Sequence, residues 1–339
     1  MSEYRSTSSD ATRTRPARIK ILRATHYGMC FGVRDAIALA FAESKSRPIT
    51  ILGDLVHNET VLKTLREQGV KIARQVADVK TSRVLVTAHG ASQRTLERVR
   101  AEGFEVLEAT CPLVHYAHRA IAGLVADGYH PVIIGRRDHV EVRGMTEDLE
   151  QYDVVLEDED VALLPARPRF GVIAQTTQPH DKVQRLVEGI RQKHPGSELR
   201  FVDTICQPTK QRQTAAVDLA QRCDVVIVIG GASSNNTHEL ASTCRRHCAR
   251  VHHVQTAEEM RAAWFNPDDT VGLTAGTSTP EESIAEIERW LQDFAGFQEK
   301  LAEHLHAPST GSGHSASTGS GHAASTGSAQ APCALTEAS

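Results

Sequence analysis

Seven short runs of aliphatic and β-branched residues punctuate the chain: Ile19–Leu22, Ile49–Leu52, Val84–Ala88, Pro131–Gly135, Gly171–Ala174, Val225–Gly230 and Val271–Ala275. Most are apolar without alternation, as expected of strands covered on both faces. Between most of them lie segments with apolar residues at helical spacing, among them Thr60–Gln68, Gln93–Glu102, His115–Asp127, Lys182–Lys193 and Gln211–Gln221. Continuous apolar strands alternating with helices predict an α/β fold, with buried parallel sheets packed between helices.

Polar residues collect where the strands end. His57-Asn58 follows the second run, His89-Gly90 the third and His139-Val140-Glu141 the fourth. Gln175-Thr176-Thr177, Ser233-Ser234-Asn235-Asn236-Thr237 and Gly276-Thr277-Ser278 follow the last three. In open α/β sheets ligands bind beyond the carboxyl ends of the strands, where helix N-termini also point. His, Ser, Thr and Asn with few Lys or Arg suit an anion held by hydrogen bonds and helix amides, as a diphosphate can be. Neither Gly-x-x-x-x-Gly-Lys-Ser/Thr nor a strand followed by Gly-x-Gly-x-x-Gly is present, which argues against a nucleotide P-loop and a dinucleotide site. Single histidines at strand ends often serve as ordinary loop residues, and Ser/Thr/Asn clusters often only cap helices. Capping and ligand binding are compatible, because one helix terminus does both. Glu141 is placed to deliver a proton if burial raises its pKa; as a solvated loop glutamate it would have no such role.

Cys30, Cys111 and Cys206 each stand where an apolar run gives way to a helical pattern. Taken singly, a cysteine in that position is most often a small buried hydrophobe. Three matched settings point elsewhere. None has a partner two to four residues away, so zinc-finger spacing is absent. Three thiolates from three separate segments suit three corners of an iron–sulfur cluster, with the fourth iron open to substrate. The stretch Cys244-Arg-Arg-His247-Cys248, with His252 and His253, superficially resembles a metal site, but it falls in a helical pattern and reads as structural. Cys223, just before an apolar run, reads as core.

The 339 residues, 40% of them hydrophobic, suffice for two or three domains. A formal charge of −4 gives no reason to expect a nucleic-acid partner. No apolar stretch approaches the roughly 20 residues a membrane span needs, so no membrane partner is expected. Seven widely spaced cysteines do not form a secreted disulfide framework. With no apolar signal core at the N-terminus, a cytoplasmic location is expected. From about His306 onward the chain is Ser, Thr, Gly, Ala and His, with Ser309-Thr-Gly-Ser-Gly-His314 repeated at Ser317–His322. Such a segment lacks the apolar surface to fold and is expected to be a disordered tail containing Cys333.

The order Gly-Met-Cys30-Phe-Gly-Val, Val-His57-Asn, Ala-His89-Gly, Ala-Thr-Cys111-Pro-Leu-Val, Gln175-Thr-Thr177, Ile205-Cys206, Ser234-Asn-Asn236 and Thr274-Ala-Gly-Thr-Ser278 resembles the 4-hydroxy-3-methylbut-2-enyl diphosphate reductase family. The resemblance covers roughly residues 18–298. Each motif is short; in this order they are highly specific. The resemblance implies three similar α/β domains with small, mostly parallel sheets around a pseudo-threefold axis and one central 4Fe–4S cluster held by Cys30, Cys111 and Cys206. It implies a substrate pocket of His57, His89, His139, Thr176, Ser234, Asn235, Asn236 and Ser278, with Glu141 and Thr176 as catalytic residues. The implied reaction is the two-electron, two-proton removal of the substrate's allylic hydroxyl, the last step of the methylerythritol phosphate pathway, with ferredoxin or flavodoxin as electron donor. The expected division is a leader (1–17), the first strand and first cysteine (18–31), α/β domains at 32–111, 112–202 and 203–300, and the tail (301–339).

Two departures from the family pattern stand out. Val140 replaces the proline of His-Pro-Glu, and Asn235 replaces a pocket hydroxyl by an amide; the stretch from Arg143 to Asp148 also diverges. Two other readings keep the cluster. A redox-neutral hydro-lyase would need no electrons, but such enzymes favour carboxylates and often use Arg, whereas this pocket is His, Ser and Thr. A non-enzymatic sensor would have no need of Glu141, Thr176 and three histidines together.

Overall fold

The computed structural model describes residues 19–306, with side chains to 301. The expected leader, the repeat-rich tail beyond 306 and Cys333 lie outside the described residues. Strand β1 (Lys20–Arg23) leads to helix α1 (Phe31–Ser46). A first unit follows: β2 (Thr50–Leu52), α2 (Glu59–Glu67), β3 (Lys71–Ala73), β4 (Arg83–Val86), α3 (Gln93–Ala101) and β5 (Glu105–Glu108). The second begins with α4 (Pro112–Ala126), β6 (His130–Ile134), α5 (Val140–Thr146) and β7 (Asp153–Val155). It continues through α6 (Asp158–Leu163), β8 (Arg169–Ala174), α7 (His180–Lys193) and β9 (Glu198–Phe201). The third comprises α8 (Gln207–Ala220), β10 (Val225–Ile229), α9 (Asn235–Arg245), β11 (Arg250–Val254), β12 (Thr270–Ala275) and α10 (Glu281–His306).

The strands form three four-stranded sheets, ordered β3-β2-β4-β5, β7-β6-β8-β9 and β11-β10-β12-β1, and every pairing is parallel. The topology is the same three times, second-first-third-fourth strand, except that β1 from the start of the chain supplies the fourth strand of the third sheet. Each fourth strand runs into a cysteine and then into the helix that opens the next unit.

The expected α/β architecture is present, and the apolar runs are explained by two-sided burial. In β10, Val225, Ile227 and Ile229 enter one core while Val226 and Val228 enter another on the opposite face. In β6, Val132 and Ile134 face one core and Ile133 the other. All seven predicted runs are strands. Five further strands, β3, β5, β7, β9 and β11, carry no uninterrupted apolar run. They lie at sheet edges, where one flank is unpaired, and polar residues interrupt their apolar pattern. The stretch from 301 to 306, assigned by sequence to the tail, is instead the end of α10. Cys244 and Cys248 are buried in the third-unit core, with Cys223 packed against it; His252 stacks on Trp264. Among the described residues no helix is long and apolar enough to cross a membrane.

Candidate active site

The three units place their chemistry at equivalent points. Cys30, Cys111 and Cys206 are the N-cap residues of α1, α4 and α8, and none uses its side chain as a cap. Each cysteine N–H donates to a carbonyl two residues beyond the third strand of a sheet: Cys30 to Thr277 at 3.0 Å, Cys111 to Ala88 at 3.1 Å and Cys206 to Thr176 at 3.0 Å. The thiols therefore sit at the positive ends of three helices, that of Cys206 in a hydrogen bond with the Thr209 hydroxyl at 3.0 Å. All three are partly buried. Burial pushes Cys111 upward and Cys206 up to about 11. The first turn of α1 abuts Cys111 so closely that a Cβ on Gly32 would lie 2.5 Å from its Sγ.

His57, His139 and Ser234 each lie five residues past the end of the first strand of their unit. His89, Thr177 and Ser278 each lie three residues past the end of the third. The fold thus brings the polar strand ends together from all three units. The His57 and His89 rings stack with centroids 4.3 Å apart, and His139 meets them edge-on at 5.1 and 5.4 Å. Among the described residues these three offer the one trio of His, Cys, Asp or Glu ligand atoms within 4.8 Å of one another. Burial favours their neutral forms, with repulsion from neighbouring imidazoles adding to it at His89 and His139: His57 is lowered, His89 lies well below its usual value and His139 falls to about 3. The buried Nε2 atoms of His57 and His89 have no hydrogen-bond partner. His139 is committed at Nδ1, which accepts from the Glu141 N–H at 3.2 Å and caps α5. That bond leaves the ring proton on Nε2.

Glu141, 1% exposed, is the most deeply buried acid of the site. Desolvation raises its pKa to about 7 against two opposing hydrogen bonds, both from Thr176. The Thr176 N–H donates to Oε1 at 2.6 Å and its hydroxyl to Oε2 at 2.9 Å. Val140 occupies the first helical position of α5, where proline's missing N–H would be tolerated. The divergent stretch that follows binds the first unit: Asp148 accepts from the backbone of Gln93 and Arg94 at 2.8 and 3.1 Å, and Glu147 from Ser92 at 2.7 Å. The far end of α5 is thereby tied to the N-terminus of α3.

The third unit brings its own strand-end residues to the same place. Ser234 caps α9 by accepting from the Thr237 N–H at 3.3 Å. Asn236 Oδ1 accepts from the Thr277 N–H at 2.9 Å. The Ser278 hydroxyl donates to the His57 carbonyl at 3.3 Å. These bonds use one function of each side chain and leave the Ser234 hydroxyl proton and the Asn236 amide protons for a ligand. Asn235 differs: its amide donates to Thr177 Oγ1 at 3.2 Å, across the unit boundary. Gln175 Nε2 donates to the same oxygen at 3.1 Å, its orientation fixed by its Oε1, which accepts from the Arg136 N–H. With two amides donating to it, the Thr177 hydroxyl keeps its own proton to donate. The sequence puts Thr177 in a strand-end cluster without a role of its own; its equivalence to His89 and Ser278 becomes visible only once the strands are aligned by unit.

A profile described as LytB protein matches residues 21–292. The 4-hydroxy-3-methylbut-2-enyl diphosphate reductase of Geobacter sulfurreducens is 38% identical over 279 residues, 81% of this chain and 98% of that protein. The protein of the same name from Trichlorobacter lovleyi is 37% identical over 271 residues, 79% of this chain and 96% of the relative. Among solved structures, the E-1-hydroxy-2-methyl-but-2-enyl-4-diphosphate reductase of Plasmodium falciparum superposes with a TM-score of 0.76 at 27% identity, covering 82% of this chain and 89% of that one. A structure of (E)-4-hydroxy-3-methyl-but-2-enyl diphosphate reductase, described as the terminal enzyme of the non-mevalonate pathway, matches at 33% identity with a TM-score of 0.59, covering 81% and 99%. Three copies of one sheet order, a cysteine after each fourth strand and likeness over nearly the full length of these relatives lead to one assignment: the chain belongs to the LytB family.

Proposed function

We propose that this chain reduces 4-hydroxy-3-methylbut-2-enyl diphosphate to isopentenyl and dimethylallyl diphosphate, removing the allylic hydroxyl as water with two electrons and two protons. The observation that carries the reading is the pairing of a buried Glu141, whose pKa burial raises to about 7, with three cysteines at the N-cap positions of three helices, at one end of three parallel sheets.

The donor set suits an iron–sulfur cluster. Cys30, Cys111 and Cys206 offer three soft ligands at three helix N-termini. Burial disfavours the thiolates of Cys111 and Cys206, and a metal centre beside them would supply the positive charge that stabilises those thiolates. The three cysteines are not among the ligand atoms that converge within 4.8 Å, as donors to a single tetrahedral ion would. These three residues would hold a 4Fe–4S cluster with one iron free of protein ligands; when bound, it supplies the electrons and a Lewis-acidic site for the substrate oxygen.

The protein's own groups do the rest. The neutral imidazoles of His57, His89 and His139 present N–H donors to a diphosphate, and the unpartnered Nε2 atoms of the first two are the polar groups a ligand would satisfy. Ser234, Asn236 and Thr177 add donors from the loops of the other sheets, Ser278 holds the His57 carbonyl, and the α9 N-terminus adds its field. Glu141, protonated below about pH 7, turns its O–H onto Thr176 while the Thr176 hydroxyl passes its proton to the leaving oxygen. The electrons come from ferredoxin or flavodoxin, and the enzyme works in the cytoplasm.

The test is anaerobic incubation of cluster-reconstituted protein with substrate and a chemical reductant, followed by product analysis. Both isoprenoid diphosphates are expected, and only with reductant present. Conversion that needs no reductant would identify a redox-neutral lyase instead.

A further inference from the structure

The helices that begin at the three cysteines are equivalent, but their inner faces are not. Three residues after the cysteine stand Val33, Val114 and Thr209; six residues after it stand Ala36, Ala117 and Arg212. Ala36 and Ala117 are buried against neighbouring core, so a small apolar residue satisfies the packing at this position. α8 alone puts a guanidinium there, 7% exposed. Its hydrogen bonds all go to backbone carbonyls: Nε and Nη2 donate to Gly28 O at 2.9 and 2.6 Å, and Nη1 to Pro208 O at 3.0 Å. Among the described residues no carboxylate pairs with it. Burial opposes its charge, as does the exposed Arg34, while Cys30 and Cys206 are the groups that would favour it. Gly28 sits in a left-handed turn, φ 73°, two residues before Cys30. The loop that carries Cys30 is thus held at both ends, by Arg212 on Gly28 O and by Thr277 O on the Cys30 N–H.

The carbonyl hydrogen bonds offset part of the desolvation cost of this buried cation, and a nearby anionic centre would offset more. We propose that Arg212 is a positioning residue for the cysteine centre, fixing the Cys30 loop through Gly28 and supplying the buried positive charge that raises the cluster's reduction potential. The inference rests on the reading of the three cysteines as cluster ligands. Reduction adds one negative charge to the centre, and a fixed cation beside it stabilises the reduced form more than the oxidised form.

The test compares the reduction potentials of reconstituted wild-type, Arg212→Gln, Arg212→Lys and Arg34→Gln proteins at matched iron content, with iron release to a chelator as a second readout. Arg212→Gln is expected to lower the potential, Arg212→Lys to keep it near wild type, and Arg34→Gln, exposed to solvent, to leave it unchanged. Because lysine cannot place two donors on Gly28 O, Arg212→Lys is expected to release iron roughly tenfold faster, equivalent to one lost charge-assisted hydrogen bond. A wild-type potential in Arg212→Gln overturns the proposal, as does an equal shift in Arg34→Gln. If Arg212→Gln takes up no iron, Arg212→Lys decides: faster iron release at an unchanged potential supports the assignment, and release at the wild-type rate overturns it. A wild-type chain that binds no cluster would instead remove the underlying reading.

Discussion

Thr176 grips both oxygens of Glu141, its N–H on Oε1 at 2.6 Å and its hydroxyl on Oε2 at 2.9 Å. The backbone bond orients the carboxyl; the hydroxyl connects it to the pocket. Replacing Thr176 by Val keeps shape and backbone and removes only the relay. Turnover is expected to fall about tenfold to a hundredfold, the share typical of a positioned proton-transfer group. Thr176→Ser should retain most of the rate. Steady-state rates at equal iron content check this, and an undiminished Thr176→Val enzyme would remove the hydroxyl from the proton path.

The pH dependence follows from Glu141 and the histidines with opposite signs. A carboxyl at about 7 is protonated below that pH, so turnover that needs its proton declines as pH rises through about 7. Stability runs the same way for this group. Its folded pKa lies above the unfolded 4.5, so its contribution is full below 4.5 and lost as pH climbs through about 7. His139, lowered from 6.5 to about 3, does the reverse, and its contribution holds above 6.5 and is lost as pH falls toward about 3. Chemical denaturation of the apoprotein across pH should show the alkaline decline in wild type and a flatter curve in Glu141→Gln. Equal slopes for the two proteins would mean that Glu141 titrates normally.

Gly32 is needed for space rather than for backbone freedom, because a Cβ there would stand 2.5 Å from Cys111 Sγ. Gly32→Ala should therefore lower cluster iron although every ligand remains. Cys111→Ser should lose it outright. Iron and sulfide analysis after reconstitution distinguishes the two, and full iron in Cys111→Ser would break the ligand assignment.

Asn235 bridges two units, since its amide donates to Thr177 Oγ1. Asn235→Ser restores a hydroxyl but cannot span the same distance. Losing one such bond costs about 1 kcal/mol, so KM should rise about fivefold with little change in kcat. A lower KM in the serine variant would show that the amide obstructs substrate.

Much of this was legible before any coordinates. The central strands announce themselves because both faces are buried, as in Val225–Ile229, and the cysteines because each follows an apolar run. Edge strands such as Arg250–Val254 were not, since one flank is unpaired and polar residues interrupt the pattern. The roles of Thr177 and Arg212 were missed for another reason. Thr177 gains meaning from alignment with His89 and Ser278 across sheets, and Arg212 reads in sequence as an ordinary charge on a polar helix. Only packing shows it buried against the Gly28 carbonyl.

The most direct measurement is oxidation of a reduced viologen under anaerobic conditions by wild-type and Glu141→Gln proteins with equal, verified cluster content. The account expects substrate-dependent oxidation by wild type, two electrons for each diphosphate consumed, and loss of most turnover in Glu141→Gln. A wild-type protein that holds its cluster yet shows no substrate-dependent oxidation would contradict it.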